Sequence, residues 1–373
     1  MKSTAAKKQK VLKMDEFKVD EQKIFYFPDR LAHWMKAGDN WEKLKKVYPI
    51  YMEVSPSGSC NHRCIFCALD YLDFKKNFLN FDAYLNFLKT ASRKGVKSIM
   101  FGGEGEPLLH PRISEMVSAT KKNKIDVAFT TNGSLMTPDF LNRNMANISW
   151  IKVSLDAGTA ATHVKIHRTT AKDFQRIMSN IKFAVDLKKK NKYSCSVGVQ
   201  ILLLPQNYKE VLRLASAVKE IGVDYFVVKP YSQGLYSRNK MQVDYRKFKY
   251  LEDKVNKLSD TRLSSVFRSQ AFGTAINKES GYKHCRAVPF FWAYVMANGD
   301  VHTCSAFLGN KKFIIGNINT DKFDIIWEGK RRMNNWKLIK NLSIKTCRRN
   351  CRMDKVNTYL EKLCNPAPNH TFI

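Results

Sequence analysis

The chain has no apolar run approaching the ~20 residues a helix needs to cross a bilayer, which argues against a membrane-spanning helix. Its basic opening stretch, MKSTAAKKQKVLKMDEF, lacks the apolar core of a secretory signal. A cytoplasmic location is therefore expected. Acidic residues are scarce: 33 Asp and Glu stand against 64 Lys and Arg, a formal net charge of +31. Two readings compete. The lysines are spread along the chain, as on a solvated surface. Alternatively, the charge answers an anionic partner such as a nucleotide, a phosphorylated sugar, an acidic peptide or a nucleic acid. No internal repeat or long low-complexity tract is evident. Hydrophobic residues reach 44%, enough for a sizeable core, and 373 residues suit roughly two domains.

Cysteine is the informative presence. Of nine, three crowd into 60–67, one stands at 195, and five lie between 285 and 364. In a cytoplasmic chain such clusters indicate metal or redox chemistry before disulfides.

Residues 1–48 form a charged, aromatic N-terminal extension with a helix expected over Asp29–Ala37. From residue 49, β-rich runs alternate with amphipathic stretches. The strands expected are Ile50–Ser55, Ser98–Gly102, Asp126–Thr131, Ile151–Ser154, Cys195–Leu203 and Tyr225–Lys229. Helical patterns follow them: Phe81–Lys94, Pro111–Lys122, Pro138–Asn144, Phe174–Lys190, Tyr208–Ile221 and Tyr245–Leu258. The alternation predicts an α/β fold, a partial (β/α)6 TIM-like barrel over 49–265, with functional residues at the strand C-termini. Residues 266–373 read as a small α+β auxiliary domain. There Asn298–Gly299 marks a hairpin between two apolar runs, and a helix is expected over Ile325–Asn341.

Residues 55–67 read SPSGSCNHRCIFC, a C-x3-C-x2-C spacing of Cys60, Cys64 and Cys67. Three thiolates in a loop after a strand can converge on one centre. Zinc would want a fourth ligand, and His62 lies between the cysteines, poorly placed to join them. A four-iron cubane held by three cysteines leaves one iron open to chelation. The competing reading is a zinc loop or three buried thiols. With Phe66 preceding Cys67, the segment resembles the radical S-adenosylmethionine (SAM) superfamily, whose signature is C-x3-C-x-aromatic-C. The resemblance implies a 4Fe-4S cluster whose open iron binds the amino and carboxylate groups of SAM, with Phe66 near the adenine.

Later segments extend the resemblance. FGGEGEPLLHP ends the second strand where the family carries a Gly-Gly-Glu-Pro-like segment engaging the methionine amino group. Alignment on Glu-Pro-Leu-Leu-His-Pro selects Gly105 and Glu106; alignment on Gly-Gly-Glu selects Gly102, Gly103 and Glu104. The first is preferred. Asn132 after the third strand and Ser154 and Asp156 after the fourth resemble family positions near SAM, with Gln200 on the fifth strand and Lys229 at the end of the sixth as weaker candidates. Turn formation and capping explain Asn, Ser and Asp equally simply. Arg168 could pair with the SAM carboxylate or form a surface ion pair.

Cys285 and Cys304 bracket the hairpin, and Cys347 and Cys351 follow with C-x3-C spacing. This set resembles the SPASM/twitch auxiliary domain. Four cysteines fit the shorter twitch form with a second, auxiliary 4Fe-4S cluster; zinc in the same four thiolates is the alternative. Cys195 and Cys364 are left over. Each is a candidate hydrogen-atom donor, against the plainer reading of a buried or tail thiol.

The resemblance implies reductive cleavage of SAM to a 5′-deoxyadenosyl radical that abstracts hydrogen from a substrate, an oxidoreductase or epimerase-type reaction. A reducing partner such as flavodoxin or ferredoxin is expected. Segment 154–168 looks like radical SAM proteins of glycan or aminosugar pathways, so a small anionic or sugar-type substrate, such as a sugar nucleotide, is expected. The alternatives are a peptide-modifying maturase and a non-catalytic iron–sulfur or zinc protein. No RNA-binding module is visible, so a nucleic-acid partner is not expected.

Overall fold

The β-rich runs become ten strands of one sheet in the computed structural model, which describes Phe17 and residues 21–277 and 280–372. The basic opening stretch therefore falls almost wholly outside the described residues. The strands are β1 (Tyr51–Val54), β2 (Ser98–Phe101), β3 (Asp126–Thr131), β4 (Ile148–Ser154), β5 (Ser196–Leu203), β6 (Tyr225–Pro230), β7 (Ser264–Phe267), β8 (Trp292–Val295), β9 (Asp300–His302) and β10 (Ile314–Asn317). Their order is β10-β9-β8-β1-β2-β3-β4-β5-β6-β7. Strands β1 to β7 run parallel, each paired to the next.

Alternation within each strand decides which side chains face inward. Ile151 and Val153 of β4, Val199 and Ile201 of β5, and Phe226 and Val228 of β6 enter the main apolar core with the helices. The intervening residues of β4, including Trp150, Lys152 and Ser154, are only partly buried and form the inner face. Helices begin where capping residues occur. Asn80, Thr137 and Thr159 accept backbone N–H groups of Ala83, Phe140 and Thr162 through their side chains.

Six strands were expected from the alternation, and seven consecutive strands, β1 to β7, form the parallel run ahead of the auxiliary hairpin. β7 reads weakly in sequence because Ser264 and Ser265 carry little strand signal, yet both are buried. A larger difference concerns the auxiliary module. Its first strand, β8, pairs in parallel with β1, Tyr51 opposite Trp292 and Val54 opposite Val295. The module's hairpin thus extends the barrel sheet. The helix expected over 325–341 is two helices, Phe323–Glu328 and Lys330–Lys340, broken at Gly329.

The N-terminal extension is a wall of the auxiliary module. Leu31, Trp34, Leu44 and Val47 share a core with Phe291, Trp336 and Ile339. Trp41 stacks on Trp336 at 5.7 Å. Arg332, fully buried, donates to the carbonyls of Val47, Trp327 and Pro289, which satisfies a charge that burial would otherwise penalise.

Candidate functional site

The loop after β1 carries Cys60, Cys64 and Cys67 over the C-terminal ends of the parallel strands. All three thiols are free. Burial pushes Cys60 up to about 12 and raises Cys64 and Cys67, and Cys64 is raised further by Cys60 and Cys67. Three half-buried thiols within electrostatic reach of one another are costly to ionise unless a cation neutralises them. That donor set fits a metal group held by three cysteines.

Neighbouring loops fasten this loop. Glu106 N–H donates to Ser59 O at 2.8 Å. A Cβ on Gly105 would lie 2.1 Å from Ser59 O and 2.4 Å from Ser57 O, so the close approach requires glycine. Gly103 has φ +118°, and a Cβ there would meet Tyr294 Oη at 1.8 Å. Asn132 Nδ2 donates to Asn61 Oδ1 at 2.7 Å, and Asn61 Nδ2 donates to Ser134 Oγ at 2.6 Å.

The two carboxylates of the glycine-rich segment differ. Glu106 accepts from Leu108 N–H, Thr131 Oγ1–H and Asn132 N–H. It is a strut between the ends of β2 and β3. Glu104 accepts from Ala297 N–H at 2.9 Å, reaching the auxiliary hairpin, while its Oε2 is buried with no partner among the described residues. Burial raises both to about 7.

Asp156 is buried beyond β4, where Oδ1 accepts from Leu202 N–H and Oδ2 has no hydrogen-bond partner among the described residues. Burial raises it to about 7. Ser154 and Gln200 are register partners on the inner face of β4 and β5. Phe66 lies edge-on to His167, centroids 5.8 Å apart. Arg168, exposed, closes the helix Ala160–His167 with a left-handed backbone, φ 51°.

A histidine network behind the cysteine loop was not singled out from the sequence. His167 Nδ1 lies 3.1 Å from Cys64 Sγ. Behind it, His62 and His163 both bond Asp173 Oδ2, at 2.7 and 3.1 Å. The signal existed as five buried or loop-borne polar residues between 62 and 173, but no regular spacing links them. Of the charged inner face the sequence singled out Lys229 alone: Lys152 on β4 and Lys229 on β6 share the lumen with Glu53, Arg268 and Arg352.

The second cysteine set also converges. Cys304 is raised by burial and by Cys351, Cys285 and Cys347; Cys351 is raised to about 12 and Cys347 to about 11 by burial, with further contributions from the neighbouring thiols. All four pack within the auxiliary core. The donor set fits one group held by four thiolates.

The two leftover cysteines, the candidate hydrogen-atom donors, take different positions. Cys195 precedes β5 at the strand's N-terminal end, away from the cysteine loop, and sits in the apolar core at 1% exposure. It fills the place of a small hydrophobe. Cys364 is exposed at the end of the helix Asp354–Cys364.

Residues 54–218 match the radical SAM superfamily, and residues 285–352 match the SPASM iron–sulfur cluster-binding domain. A tungsten-containing aldehyde ferredoxin oxidoreductase cofactor-modifying protein of Pyrococcus furiosus is 28% identical over 48% of this chain and 50% of its own. A SAM-dependent nucleotide dehydratase of Flammeovirga pacifica is 33% identical over 30% of this chain and 40% of its own. The chain thus spans half or less of these curated relatives. Among solved structures, Streptococcus suis SuiB bound to SAM is similar with a TM-score of 0.63 at 20% identity, covering 81% of this chain and 70% of that one. The anSMEcpe structure with bound SAM and a peptide has a TM-score of 0.58 at 18% identity, covering 85% and 95%. No described helix is long and apolar enough to cross a membrane. The matched domains bring a SAM site and two iron–sulfur sites. The chain belongs to the radical SAM superfamily and carries a C-terminal SPASM-type auxiliary iron–sulfur domain.

Proposed function

We propose that Cys60, Cys64 and Cys67 hold the cluster that binds SAM, that Cys285, Cys304, Cys347 and Cys351 hold the auxiliary cluster, and that the enzyme oxidises its substrate by hydrogen abstraction within the barrel. The observation that carries this is the convergence of the two cysteine sets, three thiols at the strand C-termini and four in the auxiliary core. When bound, the clusters and SAM supply the carbon radical that removes hydrogen and an acceptor for the electron left behind. The chain supplies the rest. Gly103 and Gly105 let the neighbouring loops close against the cysteine loop. Phe66 packs edge-on to His167 beside the cysteine loop, and Ser154 and Gln200 offer hydrogen-bonding groups on the inner face. Buried Asp156 is held largely protonated below neutrality, which keeps an unpaired negative charge out of the site. Thiols of this kind suit a reducing compartment, so we place the enzyme in the cytoplasm.

Two substrate readings have support. Solved structures of like fold over four fifths of the chain include SuiB with a precursor peptide and anSMEcpe with a peptide, and the comparisons favour a peptide-modifying reaction over a sugar. A nucleotide-type substrate is supported by the nucleotide dehydratase of Flammeovirga pacifica and by similarity to a GTP 3′,8-cyclase of Helicobacter pylori, 27% identical over 60% of this chain and 71% of its own. The test is direct. Reconstituted protein should hold about eight iron and cleave SAM to 5′-deoxyadenosine under anaerobic reduction. The triple change of Cys60, Cys64 and Cys67 to Ala should leave about four iron and no cleavage. Full cleavage by that variant would refute the assignment.

A further inference from the structure

The inner face of the barrel carries a cluster of cations. Lys152 lies on β4 opposite Thr130 of β3 and Gly198 of β5. Lys229 lies near the end of β6 opposite Leu202. It follows Tyr225 and Val227, which face inward and form a small cluster with Val266 of β7. Arg268 follows β7, its N–H bonded to Val228 O, so it emerges beside Lys229. Arg352, from the auxiliary module, reaches the same face through Tyr51 and Met100.

The negative charge nearby comes from Glu53 and from Asp156, whose buried carboxyl lies within electrostatic reach of Lys229 and is raised to about 7 by burial. Glu53 is paired with Arg352 and accepts from Tyr51 Oη–H. Among the described residues, Lys152 and Lys229 make no ion pair with a carboxylate. Burial and mutual repulsion follow: Lys152 is lowered to about 7 by burial, then by Arg352 and Arg268. Lys229 is held well below the usual lysine range, by burial and then by Lys152, Arg268, Arg352 and Arg348. Several cations partly removed from water repel one another at a cost. Two lysines on separate strands, converging with two arginines from further elements, form an arrangement that an incoming anion would relieve.

We propose that Lys152 and Lys229, with Arg268 beside them, form an anion-binding site in the lumen that grips a multiply charged phosphoryl or carboxylate group of the substrate. The proposal rests on the reading of the lumen as the substrate chamber, and it is compatible with either a phosphorylated small molecule or an acidic peptide. Its chemistry is the same in both: oxygen anions accepting from ammonium and guanidinium groups shielded from bulk water.

Calorimetry on the reconstituted, SAM-loaded holoenzyme tests this with two probes, inorganic pyrophosphate and tetraglutamate. At least one should bind, and which binds more tightly identifies the source of the anion. K152M and K229M should each weaken that binding about tenfold or more, with iron content unchanged, and K152R should restore most of it. The surface variant K182M, whose lysine is 65% exposed and pairs with Asp186, should bind as the unaltered protein does. The proposal is overturned if neither probe binds, if K182M weakens binding as much as the lumen variants, or if the lumen variants lose SAM affinity but keep the probe. SAM cleavage is read separately. A holoenzyme that binds the anion without cleaving SAM would refute the function and leave this site standing.

Discussion

His167 Nδ1 lies 3.1 Å from Cys64 Sγ, and its Nε2 accepts the backbone N–H of Asp156 at 3.2 Å. The second bond fixes the tautomer. A ring nitrogen that accepts carries no proton, so the proton sits on Nδ1 and is donated to sulfur. Burial, reinforced by His163 and His62, holds the ring well below the usual histidine range, which keeps it neutral. A donor to a cluster thiolate stabilises the reduced, more negative state and raises the potential. A hydrogen bond stronger by about 1 kcal/mol in the reduced state corresponds to about 40 mV for one electron. His167→Phe should therefore lower the potential of the SAM-binding cluster by roughly that amount in an EPR-monitored redox titration. His167→Asn, which can present an N–H near the Nδ1 position, should recover most of it. An unchanged potential in both would reduce His167 to packing.

Gly105 and Gly102 offer a matched pair. An added Cβ at Gly105 meets backbone oxygens of the cysteine loop at 2.1 and 2.4 Å, whereas at Gly102 the nearest atoms stand at 3.4 Å. Backbone cannot rotate away as a side chain can, so Gly105→Ala should displace the loop at a cost of about 1–3 kcal/mol. Anaerobic reconstitution should then give about four iron fewer for Gly105→Ala, while Gly102→Ala retains the full complement.

The sequence made most of the barrel legible because each buried strand is a short apolar run bounded by turn residues. β3 spans the residues expected of it, and β1, β2 and β6 differ by a residue or so at their ends. What stayed hidden depends on contacts distant in sequence. Nothing near Trp292 announces that β8 pairs with β1, some 240 residues earlier. The cysteine sets were legible because ligands must be cysteines at loop spacings. The Lys152 and Lys229 pair was not, because a lysine in a strand looks the same whether it faces lumen or solvent until register is known.

Glu104 gives a pH signature. Burial raises its carboxyl from 4.5 to about 7, so the folded chain holds the proton more tightly than the unfolded one. The associated stability is present in full below the unfolded value and is lost as pH rises through about 7. Glu104→Gln keeps an oxygen for the Ala297 N–H and removes the titration. Between about pH 6 and pH 8.5 the variant should gain about 1 kcal/mol relative to the unaltered protein in urea unfolding. A constant difference across that range would show that Glu104 titrates normally.

Arg352 joins the two halves of the enzyme. It follows Cys351 in the auxiliary module, pairs with Glu53 of β1, and donates through Nη1 to Tyr51 Oη at 3.0 Å. Glu53 is 4% exposed, so removing the arginine strands a carboxylate in the barrel. For a fully buried pair such a loss costs about 3–5 kcal/mol. Arg352 keeps 41% of its side chain in water, so a smaller loss is expected, about 1–3 kcal/mol for Arg352→Met. Removing the stranded charge as well should recover most of that loss, so the E53Q/R352M double variant should be more stable than R352M alone. The coupling also reaches the auxiliary cysteines. Arg352→Met frees the chain next to Cys351, and auxiliary iron should be lost faster to a chelator, while E53Q alone leaves Arg352 bonded to Tyr51 and should slow that loss relative to R352M. Equal chelation rates in E53Q, R352M and the unaltered enzyme would mean that Arg352 braces the barrel without bracing the cluster module.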